Sequence, residues 1–124
     1  MELMNANELL LNGEQQATFI QLFNVLAADI HLTARSKGFW ENDRNDGEMI
    51  ALVHSELSEA LEGIRHGNPP DSHCPEFSSA EVEFADAIIR LMDQAQARKW
   101  RVAEALFAKL LFNKNRPYKH GKQF

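Results

Sequence analysis

Apolar residues recur every three to four positions along most of this chain, as in Phe19, Leu22, Phe23, Leu26, Ala27 and Ile30. That spacing buries one face of an α-helix, whereas a half-buried strand needs strict alternation, and no useful length of the sequence alternates. The pattern breaks at three places, which predicts four helices and an all-α fold resembling a four-helix bundle. The first helix runs from Glu14 to about Lys37. Gly38 stops it, and Lys37 places a cation in the last turn, where the helix dipole favours one. A connector with two aromatics, Phe39 and Trp40, leads to Asp46, the expected N-cap of a second helix. That helix reaches about His66, before Gly67, Asn68, Pro69 and Pro70. Ser78 with Glu81 three residues on is a capping-box signal for a third helix, which extends to about Arg98. The fourth starts near Trp100 and reaches about Asn113, before Arg116 and Pro117. Residues 1–13, with the Leu9-Leu10-Leu11 cluster, read as an N-terminal arm, and residues 117–124 as a polar tail.

At 124 residues the chain reads as one domain, 1–124, with a real core. The net charge of −5 argues against a general nucleic-acid surface, so no nucleic-acid polymer is expected as partner. No unbroken apolar run reaches the roughly 18 residues of a membrane span. The first residues lack a basic n-region followed by a long apolar stretch, so neither signal peptide nor membrane association is expected. The lone Cys74 excludes an internal disulfide framework and a Cys-based zinc site within one chain. A cytoplasmic location fits these features.

Two acidic pairs interrupt the helical pattern: Glu56-x-x-Glu59 on the second helix and Glu83-x-x-Asp86 on the third. Residues three apart share a helix face, so each pair aims two carboxylates one way. At 100° per residue Glu56 falls inside the apolar sector of its helix, where a core residue belongs, and Glu59 lies at the sector's edge. The third helix is apolar around most of its circumference, apart from a stripe of Glu83, Asp86, Arg90, Asp93 and Gln94. Such a helix is central, or packed also on another subunit. Glu59 and Asp86 each lie seven residues from the connecting loop, about 10 Å at 1.5 Å rise per residue, so an antiparallel pair brings both acidic pairs to one height. Converging carboxylates repel one another, and hard divalent cations with oxygen ligands remove that cost. Either pair alone reads as the ordinary surface charge of a solvated helix, and only the two together, at one height, put a metal site level with that reading.

Lys109, Asn113 and Arg116, at i, i+4 and i+7, share one face of the fourth helix. A lysine, an amide and an arginine there suit a polyanion. A basic helix end favoured by its dipole explains them equally well. Acidic metal ligands with a basic phosphate clamp are the combination phosphoryl transfer requires.

Taken together, Glu56-x-x-Glu59, a gap of 23 residues, Glu83-x-x-Asp86 and Lys109-x3-Asn113-x2-Arg116 resemble the MazG-like nucleotide pyrophosphohydrolases of the all-α NTP pyrophosphatase superfamily. The wording KGFW, GEMIALVHSELSEALEGIR and EVEFADAIIRLMDQA is similar to small single-domain members. The resemblance covers roughly residues 35–120. It implies a MazG-type, oligomeric fold, homodimer or homotetramer. The implied reaction is Mg²⁺-dependent hydrolysis of a nucleoside triphosphate between its α and β phosphates, with Mn²⁺ as a substitute ion. On this sequence it implies Glu56, Glu59, Glu83 and Asp86 as metal ligands, with Glu56 or Glu59 also orienting the attacking water. Lys109, Asn113 and Arg116 would bind phosphates. Asp93, one turn further along the stripe, is a lesser candidate for metal binding or for support of the ligands.

Trp40 is a candidate for stacking on a nucleobase, though a hydrophobic plug at the bundle end accounts for it equally well. Lys37 reaches a phosphate or caps its helix. Phe39 is expected in the core, His54 in a packing or interface role, and Cys74 is expected to be incidental. A rival from another class is a non-catalytic α-helical module that binds a nucleotide or metal without turnover. A third is a plain interaction bundle whose acidic pairs are surface charge.

Overall fold

The computed structural model describes residues 8–124. It contains four α-helices: α1 (Gly13–Ser36), α2 (Asp46–Arg65), α3 (Ser79–Arg98) and α4 (Val102–Lys114). A single antiparallel bridge, Pro70 to Ser78, is the one β-type pairing, and no strand occurs among the described residues. The all-α expectation therefore holds. The expected N-terminal arm falls largely on residues 1–7, outside the described residues.

Local sequence sets each helix end. Asn12 and Gln15 cap α1 reciprocally: the Gln15 amide donates to Asn12 Oδ1 at 2.8 Å and the Asn12 amide to Gln15 Oε1 at 3.0 Å. Gly38 ends α1 in the left-handed region at φ 89, a conformation that costs a residue without Cβ little. One expectation is corrected at α2. Its N-cap is Asn45, whose Oδ1 accepts from the Glu48 amide at 3.1 Å, and Asp46 is the first helical residue. Asn and Asp cap equally well, and Asn45 stands at the correct distance from Glu48. Asp46 is thereby freed to accept from Arg98 Nε at 2.8 Å and Gln94 Nε2 at 3.1 Å. Ser78 and Glu81 form the expected capping box. Lys99, left-handed at φ 58, ends α3, and α4 begins two residues later than expected, at Val102.

The chain forms two compact units: the residues up to Leu26 with Trp100–Phe124, and Ala27–Lys99. In the first, Phe19 meets Phe107 edge-on at 5.4 Å and Phe23 at 6.0 Å. The second is built on α2 and α3, packed antiparallel. Asp46 meets Gln94 and Arg98 at one end. At the other, Gly63 lies so close to Ser79 that a Cβ would sit 2.5 Å from Ser79 Oγ. Small residues permit this approach: Ala60, Ala87 and Ala95 are buried beside Met49, Val53 and Met92. Other apolar residues of α2, Ile50, Leu57, Leu61 and Ile64, are exposed, as are Phe84, Ile88 and Leu91 of α3.

α1 holds no unbroken apolar run of membrane-spanning length, because polar residues punctuate it. By length and composition it is long and apolar enough to cross a membrane, the one such helix among the described residues. Core helices of soluble proteins pass the same test. In its C-terminal half His31 Nδ1 lies 2.7 Å from Asp93 Oδ1 of α3.

Candidate acidic site

Glu56 faces inward with Met49, Val53 and Ala60 and is only 8% exposed, which is where the helical layout put it. From α3, half-buried Glu83 turns toward it, and exposed Glu59 completes a trio. One carboxylate oxygen from each of Glu56, Glu59 and Glu83 lies within 4.8 Å of the others. Asp86 stands outside this trio but shares with Glu56 the wall of a cavity of about 460 Å³.

Crowding and burial perturb the cluster strongly. Desolvation, followed by the facing Glu56 and Glu59 carboxylates, pushes Glu83 up to about 8. Glu83 Oε2 is buried without a hydrogen-bond partner. The groups facing Glu83 are carboxylates, which accept but cannot donate while ionised, so a bond forms only when the cluster holds a proton. Burial, and then the charge of Glu56, raises Asp86 as well, with Arg90 opposing. Glu56 goes the other way. Burial alone would raise it, but the Arg90 guanidinium and hydrogen bonds with Glu83 and Glu59 outweigh that and hold it low. Arg90 Nε donates to Glu56 Oε1 at 2.8 Å.

A second polar group adjoins the same cavity. Asp93, buried on α3, accepts from Trp40 Nε1 at 3.1 and 3.2 Å and pairs with His31 Nδ1 at 2.7 Å; Arg44 approaches it at 3.9 Å. The Trp40 ring stands edge-on to His31 at 5.1 Å, with the Arg44 and Arg98 guanidiniums at 5.3 and 5.8 Å from its centroid. Trp40 is therefore fixed at its N–H edge and flanked by cations. Lys37 lies on the cavity wall. Phe39 also lines that wall and is 61% exposed, which corrects its expected place in the core. It directly follows the left-handed Gly38, and a turn has no periodicity from which to read direction. His54 and Cys74 are exposed.

Lys109, Asn113 and Arg116 belong to the other compact unit. Lys109 and Asn113 stand on α4, but the helix ends at Lys114, ahead of Pro117, so Arg116 lies beyond it and the expected common helix face is corrected to two residues. There the Lys109 ammonium lies 4.7 Å and the Arg116 guanidinium 5.6 Å from the Phe112 ring centroid. Asn113 Oδ1 is buried without a partner, as is Glu104 Oε1.

Sequence reasoning gave no role to Arg90, His31 or Arg44. Arg90 was visible as the cation of an otherwise acidic stripe, four residues after Asp86. His31 and Arg44 carried no local signal, because their partner Asp93 is distant in sequence. No family model matches the chain, and neither does any curated protein or solved structure.

Proposed function

We propose that this protein is a Mg²⁺-dependent nucleoside triphosphate pyrophosphohydrolase of the MazG-like type, releasing a nucleoside monophosphate and pyrophosphate in nucleotide-pool house-cleaning. The observation that carries the reading is the trio Glu56, Glu59 and Glu83, with one oxygen of each within 4.8 Å of the others and Glu83 Oε2 buried without a donor. An oxygen-only donor set suits a hard divalent cation, and Asp86 on the adjoining cavity wall is the fourth carboxylate of the proposed set. When bound, the ion supplies Lewis-acid chemistry, offsetting charge on the phosphate oxygens.

The chain's own residues divide the remaining work. Glu56 is buried, whereas Glu59, exposed and without a paired cation among the described residues, is the carboxylate best able to orient the attacking water and accept its proton. A cavity of about 460 Å³ is of ligand size. In this reading Lys37 and the fixed Trp40 belong to the nucleoside end, and Asp93 supports them rather than the metal ligands. Lys109, Asn113 and Arg116 keep their proposed phosphate role through the family resemblance alone, Arg116 lying beyond the end of α4. The exposed apolar rows on α2 and α3 support a homodimer or homotetramer.

A pyrophosphate-release assay over the eight common (d)NTPs with Mg²⁺, Mn²⁺ or EDTA tests the proposal. Release that depends on the ion and falls at least 100-fold in Glu59→Gln supports it. Activity untouched by Glu59→Gln or Asp86→Asn would sink the catalytic assignment. Nucleotide binding without turnover would select the non-catalytic module instead.

A further inference from the structure

Glu56 is one of the three carboxylates that converge, yet one of its oxygens already has a cation on it. Arg90 Nε donates to Glu56 Oε1 at 2.8 Å, and the Arg90 side chain keeps 36% of its surface exposed. Its two terminal nitrogens make no hydrogen bond among the described residues. Arg90 also lines the cavity together with Asp86 and Asp93. Asp86 lies four residues earlier and Asp93 three residues later on α3, so both share its helix face. The guanidinium thus has other carboxylates within the same cavity and is not buried in place.

Resting on the metal-site reading above, we infer that Arg90 is an internal counter-cation that competes with a divalent ion for Glu56 and so sets the ion affinity of the cluster. With the site empty, the guanidinium offsets the charge of Glu56 beside Glu59 and Glu83. An ion bound by Glu56 sets a second positive charge beside the guanidinium on the same carboxylate, and Arg90 then turns toward Asp86, Asp93 or an anion in the cavity. The opposite role is equally definite: an arginine that only orients Glu56 would strengthen ion binding, and its loss would weaken affinity about 10–100-fold. The exposure of Arg90 and its alternative carboxylates favour competition. A cation beside a carboxylate commonly lowers its proton affinity by about 10–1000-fold, and the same repulsion acts on a metal ion.

The test is a calorimetric Mn²⁺ titration of the full chain without nucleotide, for the wild type, Arg90→Met, Arg90→Lys and Arg65→Met. Arg65, exposed at the end of α2, controls for net charge. Competition requires Arg90→Met to bind Mn²⁺ at least about tenfold more tightly than wild type. Arg90→Lys should fall between them, and Arg65→Met within about twofold of wild type. In EDTA, Arg90→Met should melt below wild type, and Mn²⁺ should raise its melting temperature by more. Affinity unchanged or weakened in Arg90→Met overturns the inference while leaving the metal site standing. A wild type that binds no Mn²⁺ overturns both. Should Arg90→Met fail to fold, Arg90→Lys decides: tighter binding than wild type supports competition, and equal or weaker binding refutes it.

Discussion

Replacing Glu83 by Gln should stabilise the ion-free protein at alkaline pH, an unusual outcome for a polar change in a packed helix pair. The folded Glu83 holds its proton up to about 8, against 4.5 for an ordinary glutamate. Below about pH 4.5 both folded and unfolded chains carry that proton, and the group's contribution to stability is complete. As pH rises from 4.5 toward 8 the unfolded chain releases the proton and the folded one does not. The folded state then binds more protons, and stability declines with pH until the folded group also ionises. The full displacement corresponds to an upper bound of about 5 kcal/mol, which water access to this half-buried, proton-sharing cluster reduces to about 2 kcal/mol. Gln keeps the shape, and its amide donates to the neighbouring carboxylates at every pH. Urea unfolding followed by circular dichroism in EDTA at pH 5, 6.5 and 8 measures the effect. Wild type should lose about 2 kcal/mol more than Glu83→Gln between pH 5 and 8, leaving the variant the more stable at pH 8. Parallel curves for the two proteins would refute the reasoning.

Three further outcomes follow from the packing. Gly63→Ala places a Cβ 2.5 Å from Ser79 Oγ and 2.9 Å from Ser79 Cβ, so the α2–α3 end must spread, at a cost of about 1–3 kcal/mol in thermal or urea unfolding. Ser78→Ala removes the hydroxyl that accepts from the Glu81 amide at 3.2 Å, and should cost about 1 kcal/mol by the same assay. Asp93→Ala leaves the Trp40 N–H and His31 without their acceptor; a loss of about 2–4 kcal/mol and a red shift in tryptophan emission are expected, and unchanged emission would show that Asp93 does not hold Trp40.

What was legible in the sequence depended on how local the determinant is. The Ser78–Glu81 box and the Gly38 stop involve residues within one turn, and both stand where the spacing put them. The α2 cap shows the limit: Asn45 and Asp46 are equally good caps, and the choice follows from Asp46 being engaged by Arg98, 52 residues away. Glu56 could be placed in the buried sector because its own helix supplies that reference frame. Convergence of Glu59 and Glu83 with it followed from counting out from one loop, but the rotation of α3 about its axis did not. That rotation puts Glu83 in the trio, leaves Asp86 on the cavity wall and gives Arg90 to Glu56. Phe39 and Trp40 sit in a turn, where no periodic pattern encodes which ring faces the cavity and which is fixed by Asp93.

The most direct test of the central claim is ³¹P NMR of a deoxynucleoside triphosphate incubated with the full chain and Mg²⁺. The account requires the three triphosphate resonances to give way to one monophosphate and one pyrophosphate signal. The conversion should stop with EDTA and be absent in Glu59→Gln. An unchanged spectrum for every nucleotide tried, or diphosphate with orthophosphate from cleavage at the β–γ bond, would contradict it.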